Sequence, residues 1–141
     1  MKKVRRRLTL FAVALAVLPA LAFSIATVEE SESREHLRKY LVNVDVSDRI
    51  DANEAEAIAT AYFLGFVSAC GGPDRPKLVD GDWVVPVVVG YAGNLSPSPI
   101  RINAKSGAVS YSEGPSFSGY SAFRAVLLWG IPITKHMQFN Q

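Results

Sequence analysis

The side chains of this sequence that could do chemistry are two histidines, one cysteine and several serines towards the C-terminal end. Ser116 and Ser118 lie in a glycine-flanked segment that approaches the Gly-x-Ser-x-Gly turn of a hydrolase nucleophile. That turn needs glycine where this chain has Ser118, and it leads from a strand into a helix, whereas this segment follows a predicted hairpin. Ser116 or Ser118 close to His136 is the arrangement that would favour a hydrolase.

Metal and thiol chemistry are not indicated by the remaining candidates. His36, His136 and Cys70 supply three ligands, so a four-ligand zinc site would also need carboxylates at positions that the sequence does not indicate. Asp80 and Asp82 offer two carboxylates where a calcium loop needs many more oxygen ligands. Cys70 has no partner for an internal disulfide and no basic neighbour in sequence, so we expect a poorly reactive thiol at a helix end.

Acid–base and phosphate chemistry are also not indicated. Glu54 and Glu56 are two residues apart on a predicted helix and therefore do not face each other. The sequence has no glycine-rich loop of the kind that cradles a phosphate. The sequence therefore predicts a protein that is not an enzyme and that uses no cofactor and no metal.

The N-terminal segment has the pattern of a secretory signal. A basic start precedes an apolar run from Leu8 to about Val28 that ends in small residues. Cleavage fits before Phe23 or before Thr27, and the second is preferred, which gives a signal peptide over residues 1–26. The alternative is an uncleaved membrane anchor, because about 20 apolar residues can span a bilayer. Both interpretations export the rest of the chain, to a periplasmic location or to a membrane-anchored one.

Export changes what the charge implies about partners. The whole chain carries +2, but five of its 15 lysines and arginines lie in the first seven residues. The ten that remain downstream face 13 acidic residues, so the net charge there is −3. No basic stripe is left to follow a phosphate backbone, which argues against a nucleic-acid partner.

Residues 27–47 are predicted to be a charged segment followed by a short strand, and residues 48–141 an α+β domain. Exposed helical turns are expected over residues 30–40 from i,i+4 charge pairs. The strand is expected from the alternation of apolar and polar residues that follows. Its apolar positions are Tyr40, Val42, Val44 and Val46.

The main helix is expected to begin at Asp51, because Asp51 and Glu54 have the spacing of a capping box. Gly71, Gly72 and Pro73 are expected to end it. One stripe of the helix is predicted to face the core, and its members are Ala55, Ile58, Ala59, Tyr62 and Phe66.

Strands are predicted after the helix. Trp83 to Tyr91 is apolar on both faces, and Pro86 marks it as an edge strand or a bulged one. A loop is predicted over Asn94 to Pro99. Residues 99–112 are predicted to form a β-hairpin with one apolar and one polar face, turning at residues 104–107 with Gly107 at positive φ.

The apolar tail from Ser121 to Ile133 is predicted to be a terminal helix that packs on the sheet. Gly130 and Pro132 stop that helix at about Trp129. The tail is too short to cross a membrane. The alternative is an exposed partner-binding patch.

The helix and the hairpin together carry a resemblance to known families. Over about residues 48–113 the chain resembles PepSY-type domains and small immunity proteins with an NTF2-like or cystatin-like fold. The resemblance implies one main helix packed on a curved antiparallel sheet, and a binding or inhibitory role outside the cytoplasm. The matching residues are Ala55, Ala57 and Ala59 in the helix, Trp83, Val84 and Val85 in the strand, and Ile100, Ile102, Asn103, Lys105, Ser106, Gly107 and Val109 in the hairpin.

The sequence thus predicts an exported, non-enzymatic binding protein, an immunity or inhibitor protein among the possibilities, whose partner is a protein. The alternatives are a membrane-tethered accessory subunit and a small hydrolase. Tyrosine and arginine are favoured at the energetic centres of interfaces. The residues predicted to contact a partner are Tyr91, Asn94 and Leu95 in the loop and Arg101, Asn103 and Lys105 on the hairpin. The residues predicted to be structural are Asp51, Trp83 and Gly107.

Overall fold

The computed structural model describes residues 34–130 and the backbone of residues 137–139. The predicted signal or anchor segment, residues 1–26, lies outside the described residues. The described part of the chain is α+β, with helices and antiparallel sheets and no closed barrel. Its elements from Glu35 onward belong to one compact unit.

The first described helix, α1 (residues 34–41), occupies the start of the predicted strand. Leu37 and Leu41 are one helical turn apart and both are buried in the core. Val42 is 70% exposed, and the chain beyond it forms turns and loop up to the next helix. The predicted strand over residues 40–47 is therefore wrong. Burial of the two leucines favours a helix up to residue 41, and the valines that follow pair with no strand in the described part of the chain.

The main helix, α2 (Ala52–Tyr62), begins at the predicted capping box. The Asp51 carboxylate accepts a hydrogen bond from the Glu54 backbone N–H at 2.8 Å, and Glu54 Oε2 accepts one from the Asp51 N–H at 2.9 Å. Glu54 Oε1 also accepts from the Asp45 N–H at 2.7 Å, which holds the preceding loop against the helix. The predicted core stripe is confirmed, with Phe66 partly buried and the other four members fully buried.

The end of this helix differs from the prediction. A π-helical turn (Phe63–Val67) continues α2, and Ser68 is extended, with its N–H donating to Phe63 O at 3.0 Å. Gly71 to Pro73 form a strand and cap nothing. The helix stops where the wider turn closes at Ser68, so the glycines are not needed to end it.

The strands form two antiparallel sheets. The three-stranded sheet has the order β1 (Gly71–Pro73), β4 (Val87–Val89), β5 (Asn94–Leu95). The six-stranded sheet has the order β2 (Lys77–Val79), β3 (Asp82–Val85), β6 (Ile100–Asn103), β7 (Val109–Ser110), β8 (Pro115–Phe117), β9 (Met137–Phe139). Helix α2 contacts β1, β3 and β6.

Pro86 interrupts the predicted strand Trp83–Tyr91, as expected, and divides it between the two sheets. The expected edge strand is wrong, because β3 and β4 each lie between two other strands. Val85 and Val87, on either side of it, are both fully buried, one in β3 and one in β4. Pro86 has no N–H to donate, and its carbonyl accepts from the Asp74 N–H at 2.8 Å. The chain therefore leaves one sheet and enters the other at the residue that cannot continue a hydrogen-bonded ladder.

The predicted hairpin over residues 99–112 is confirmed as β6 and β7. Ile102 lies opposite Val109, and both are buried, whereas Arg101 on the other face is exposed. The turn places Gly107 at φ +64°, as expected. The predicted loop over residues 94–99 is partly wrong, because its first two residues pair with β4 as β5.

Helix α3 (Tyr120–Trp129) confirms the predicted helix in the apolar tail, but strand β9 follows it, so the helix is not terminal. It ends at Gly130, which adopts the left-handed conformation. Phe123 is fully buried, and its ring lies 5.5 Å from Phe117 of β8 and 6.1 Å from Tyr62 of α2. This aromatic cluster joins α2, β8 and α3 in one core.

Candidate functional site

The β4–β5 hairpin carries three of the predicted contact residues at its tip. Tyr91 is 98% exposed and Leu95 is 67% exposed. Asn94 pairs with Val89 at the end of the ladder and is exposed. The turn between the strands is closed by a hydrogen bond from Gly93 N–H to Gly90 O at 3.3 Å. We call Tyr91, Asn94 and Leu95 the tip surface.

The tip is anchored to the rest of the fold through the backbone. Gly90 N–H donates to Cys70 O at 3.1 Å, and Ser96 N–H donates to Val87 O at 2.8 Å. An exposed aromatic side chain can be buried by a partner at a small cost in side-chain entropy. The tip surface therefore presents Tyr91 and Leu95 on a hydrogen-bonded turn.

The β6–β7 hairpin carries the other three predicted contact residues, and they differ in their surroundings. Asn103 holds the turn: its Oδ1 accepts from the backbone N–H of Ser106 at 3.0 Å, and its Nδ2 donates to Asp82 Oδ1 at 2.9 Å. Arg101 and Lys105 are exposed, and neither side chain forms an ion pair with another described residue. Of the three, Arg101 and Lys105 are the side chains that remain free for a ligand.

The two sets of predicted contact residues are not brought together. Asn94 lies opposite Val89 at one end of the paired strands, and Asn103 lies opposite Asp82 at the other end. Asn94 belongs to the three-stranded sheet and Asn103 to the six-stranded sheet, so the two hairpins lie in different sheets. They form two surfaces and not one site.

The residues predicted to be structural all make packing or hydrogen-bond contacts. Trp83 Nε1–H donates to Ile50 O at 2.8 Å, and Ile50 N–H donates to Ala104 O at 2.9 Å. Asp51 caps α2, as described above. A Cβ on Gly107 would lie 2.6 Å from Tyr120 Cβ. These contacts fix the start of α2 against the β6–β7 turn.

The segment around Ser116 does lead from a strand into a helix, contrary to the sequence-based expectation, since β8 precedes α3. Ser116 lies inside the strand, however, and its Oγ is buried with no hydrogen-bond partner among the described residues. Ser118 is exposed, and His136 lies outside the described residues. The proposed serine–histidine arrangement is therefore not tested. Cys70 is partly buried, and its poor reactivity stays a prediction.

A groove of about 340 Å³ on the outer face of the six-stranded sheet was not predicted. Arg101, Ser110, Ser116 and Asp82 line it. The alternation of buried and exposed residues along each strand could have placed these side chains on one face. The pairing of β7 with β8 could not have been read from the sequence, because β8 is a short strand between two turns.

Among the described residues there is no group of three or more histidine, cysteine, aspartate or glutamate side chains placed to hold a metal ion. No helix in the described ranges combines the length and the hydropathy needed to cross a bilayer. Comparisons with protein-family models, with curated proteins and with solved structures found no match.

Proposed function

We propose that this chain is an exported binding protein that does no chemistry and that contacts a protein partner through the tip surface. The observation that carries the proposal is the 98% exposure of Tyr91 beside the 67% exposure of Leu95 on one hydrogen-bonded turn. Burial of such side chains on association removes apolar area from water at a small cost in side-chain entropy.

The sequence resemblance over residues 48–113 supports a binding role, because it implies one main helix packed on a curved antiparallel sheet of the cystatin-like or NTF2-like kind. The described helices and antiparallel sheets agree with the α+β class of such a domain. Immunity or inhibition of a secreted partner is the role that such a domain would have in the periplasm. A PepSY-like domain remains part of the same proposal.

The N-terminal sequence supports export. A basic start, an apolar run and small residues before Thr27 favour a signal peptide over residues 1–26. Mass spectrometry of the exported protein tests this, and a mature N-terminus at Thr27 or Phe23 is expected. A full-length species embedded in the membrane would reject cleavage and support the alternative of a membrane-tethered accessory subunit.

Binding through the tip surface is tested by comparing two single substitutions. Tyr91→Ala should weaken capture of the partner from a periplasmic extract by tenfold or more, which corresponds to about 1.4 kcal/mol. Val42→Ala removes another largely exposed apolar side chain, from the turn after α1, and serves as the control. Equal capture by both variants would exclude the tip surface as the contact.

A further inference from the structure

Three polar side chains lie in a row across adjacent strands of the six-stranded sheet. Arg101 of β6 lies directly opposite Ser110 of β7. The β7–β8 register pairs Val109 with Phe117, so one residue further along it places Ser110 opposite Ser116. Directly opposite residues share a face of the sheet, with Cβ atoms about 5 Å apart. All three residues line the same groove, and we call them the Arg–Ser–Ser row.

The hydrogen-bonding groups of this row are not used within the described part of the protein. Arg101 is exposed and forms no ion pair there. Ser116 Oγ is buried and has no hydrogen-bond partner. A buried hydroxyl without a partner is costly, and native proteins keep few of them. A guanidinium without an ion pair, in a groove that two serines also line, indicates a place where an anionic group can gain hydrogen bonds.

We propose that the Arg–Ser–Ser row binds a carboxylate group. The Arg101 guanidinium and the Ser110 hydroxyl each donate to a carboxylate oxygen. Ser116 is too buried to touch a ligand, but a rotation of its side chain brings its hydroxyl to Ser110 Oγ, to which it donates. Ser110 then has its own proton directed at the ligand, and Ser116 gains a partner. Ser116 is thus a positioning residue.

The charges around the groove favour a carboxylate over a phosphate. A phosphate carries up to two negative charges and is bound by several cations or free backbone N–H groups. The row has one cation, and its strands use their N–H groups in the ladders with their neighbours. Asp82, which accepts from Asn103 Nδ2, lines the same groove and already brings one negative charge to it. A carboxylate adds a single negative charge and matches the planar guanidinium of Arg101.

The proposal uses residues outside the tip surface and does not depend on the function proposed there. A small free acid and an acidic side chain of a peptide both supply such a carboxylate, and the row would bind either one in the same way. Two probes separate them: succinate, and an N-acetylated, C-amidated Ala-Ala-Glu-Ala-Ala peptide. The same peptide with glutamine in place of glutamate is the uncharged control.

The experiment is a titration of the ¹⁵N-labelled full-length protein, followed by NMR. A probe that carries a carboxylate should shift the backbone amide signals of Ser110 and Ser116, and the glutamine peptide should not. Binding of succinate as well as the peptide would mean that the carboxylate alone suffices. Binding of the peptide alone would assign the site to acidic side chains. Equal binding of the glutamate and glutamine peptides, or no shift with either carboxylate probe, would overturn the proposal.

Variants identify the residues. Arg101→Gln should weaken binding about fivefold, as expected for one exposed charge-assisted contact. Lys105→Gln removes another exposed cation of the same hairpin and should change the affinity less than twofold. An equal loss of affinity in both variants would mean that the probes are held by nonspecific electrostatic attraction and not by the row. Tyr91→Ala should not change the affinity for either probe, which separates this proposal from the tip surface.

The role of Ser116 is tested by a double-mutant cycle. Ser110→Ala and Ser116→Ala should each weaken binding, and Ser116→Ala should have no further effect in the Ser110→Ala background, because Ser116 acts through Ser110. Ser116→Ala should also keep or raise the melting temperature, since it removes an unsatisfied hydroxyl. Additive losses in the cycle would overturn the positioning role.

Discussion

The Tyr62 hydroxyl donates a hydrogen bond to the Pro115 carbonyl oxygen at 2.6 Å, and so joins α2 to β8 across 53 residues of sequence. Both residues are buried, and the Tyr62 ring also lies 6.2 Å from Phe117 and 5.3 Å from Phe66. The polar end of one core side chain thereby satisfies a carbonyl that no water reaches. This contact holds the groove-bearing strand β8 against the main helix.

Tyr62→Phe should lower the free energy of unfolding by about 1–2 kcal/mol, because the Pro115 carbonyl stays buried and loses its donor. Urea denaturation at neutral pH measures the change. Tyr91→Phe removes a hydroxyl from a fully exposed ring and should cost less than about 0.5 kcal/mol. Equal stability of Tyr62→Phe and the unsubstituted protein would show that this hydrogen bond contributes nothing.

Stability should fall in alkaline solution because two tyrosines resist ionisation in the folded protein. Burial raises the pKa of Tyr62 and of Tyr120 above the ordinary value of 10.0. The unfolded chain loses these protons first, so their contribution is fully present below about pH 10 and is lost as the pH rises above it. Denaturation between pH 8 and pH 11 measures the slope.

The Tyr62→Phe variant also serves as the control for this pH dependence. Because the variant lacks one titrating hydroxyl, its free energy of unfolding should fall less steeply above pH 10. The slope should be smaller by up to about 1.4 kcal/mol per pH unit. An unchanged slope in the variant would mean that Tyr62 ionises equally well in the folded and unfolded chains.

Gly107 and Gly81 form a matched pair for testing the β6–β7 turn. Both have positive φ, +64° and +90°, but a Cβ on Gly107 would meet Tyr120, whereas a Cβ on Gly81 would meet nothing within 4 Å. Gly81→Ala should therefore cost about 1 kcal/mol for backbone strain alone. Gly107→Ala should cost about 3 kcal/mol, because steric overlap adds to the strain. Equal thermal shifts in the two variants would contradict the packing of Tyr120 on this turn.

The two tryptophans should respond differently to replacement by phenylalanine. Trp83 Nε1–H donates to Ile50 O, so Trp83→Phe should lower the free energy of unfolding by about 1 kcal/mol or more. Trp129 is mostly exposed at the end of α3 with the Arg38 guanidinium over its ring, and Trp129→Phe should cost less than about 0.5 kcal/mol. Thermal melts of both variants at one pH provide the comparison, and a larger loss at Trp129 would contradict these contacts.

The sequence predicts those elements whose signals are local. The Asp51–Glu54 capping box, the turn at Gly107 and the stop at Gly130 each depend on residues within a few positions of one another, and each is present as expected. The alternation that predicted the apolar face of the β6–β7 hairpin is equally local.

The wrong predictions from the sequence concern segments whose secondary structure is determined by contacts with distant parts of the chain. The valines after Leu41 have the period of a strand, but no neighbouring strand pairs with them, and Asp45 is instead held by the Glu54 carboxylate. The π-helical end of α2 depends on the packing of its side chains and not on Gly71. For the candidate sites, the strand predicted over Trp83–Tyr91 is apolar on both faces and does not predict an exposed Tyr91, which is exposed because β4 ends at Val89. The row formed by Arg101 and the two serines depends on the register of β7 with β8.

The claim that the tip surface contacts a protein partner is tested most directly by photo-crosslinking from position 91. A photoreactive phenylalanine analogue replaces Tyr91 in cells that naturally make the protein, and in a second strain it replaces Val42, which is also largely exposed. The account predicts one crosslinked product of defined mass from position 91, absent from position 42 and reduced by the additional substitution Leu95→Ala. A product from position 42 alone, or none from position 91, would contradict it.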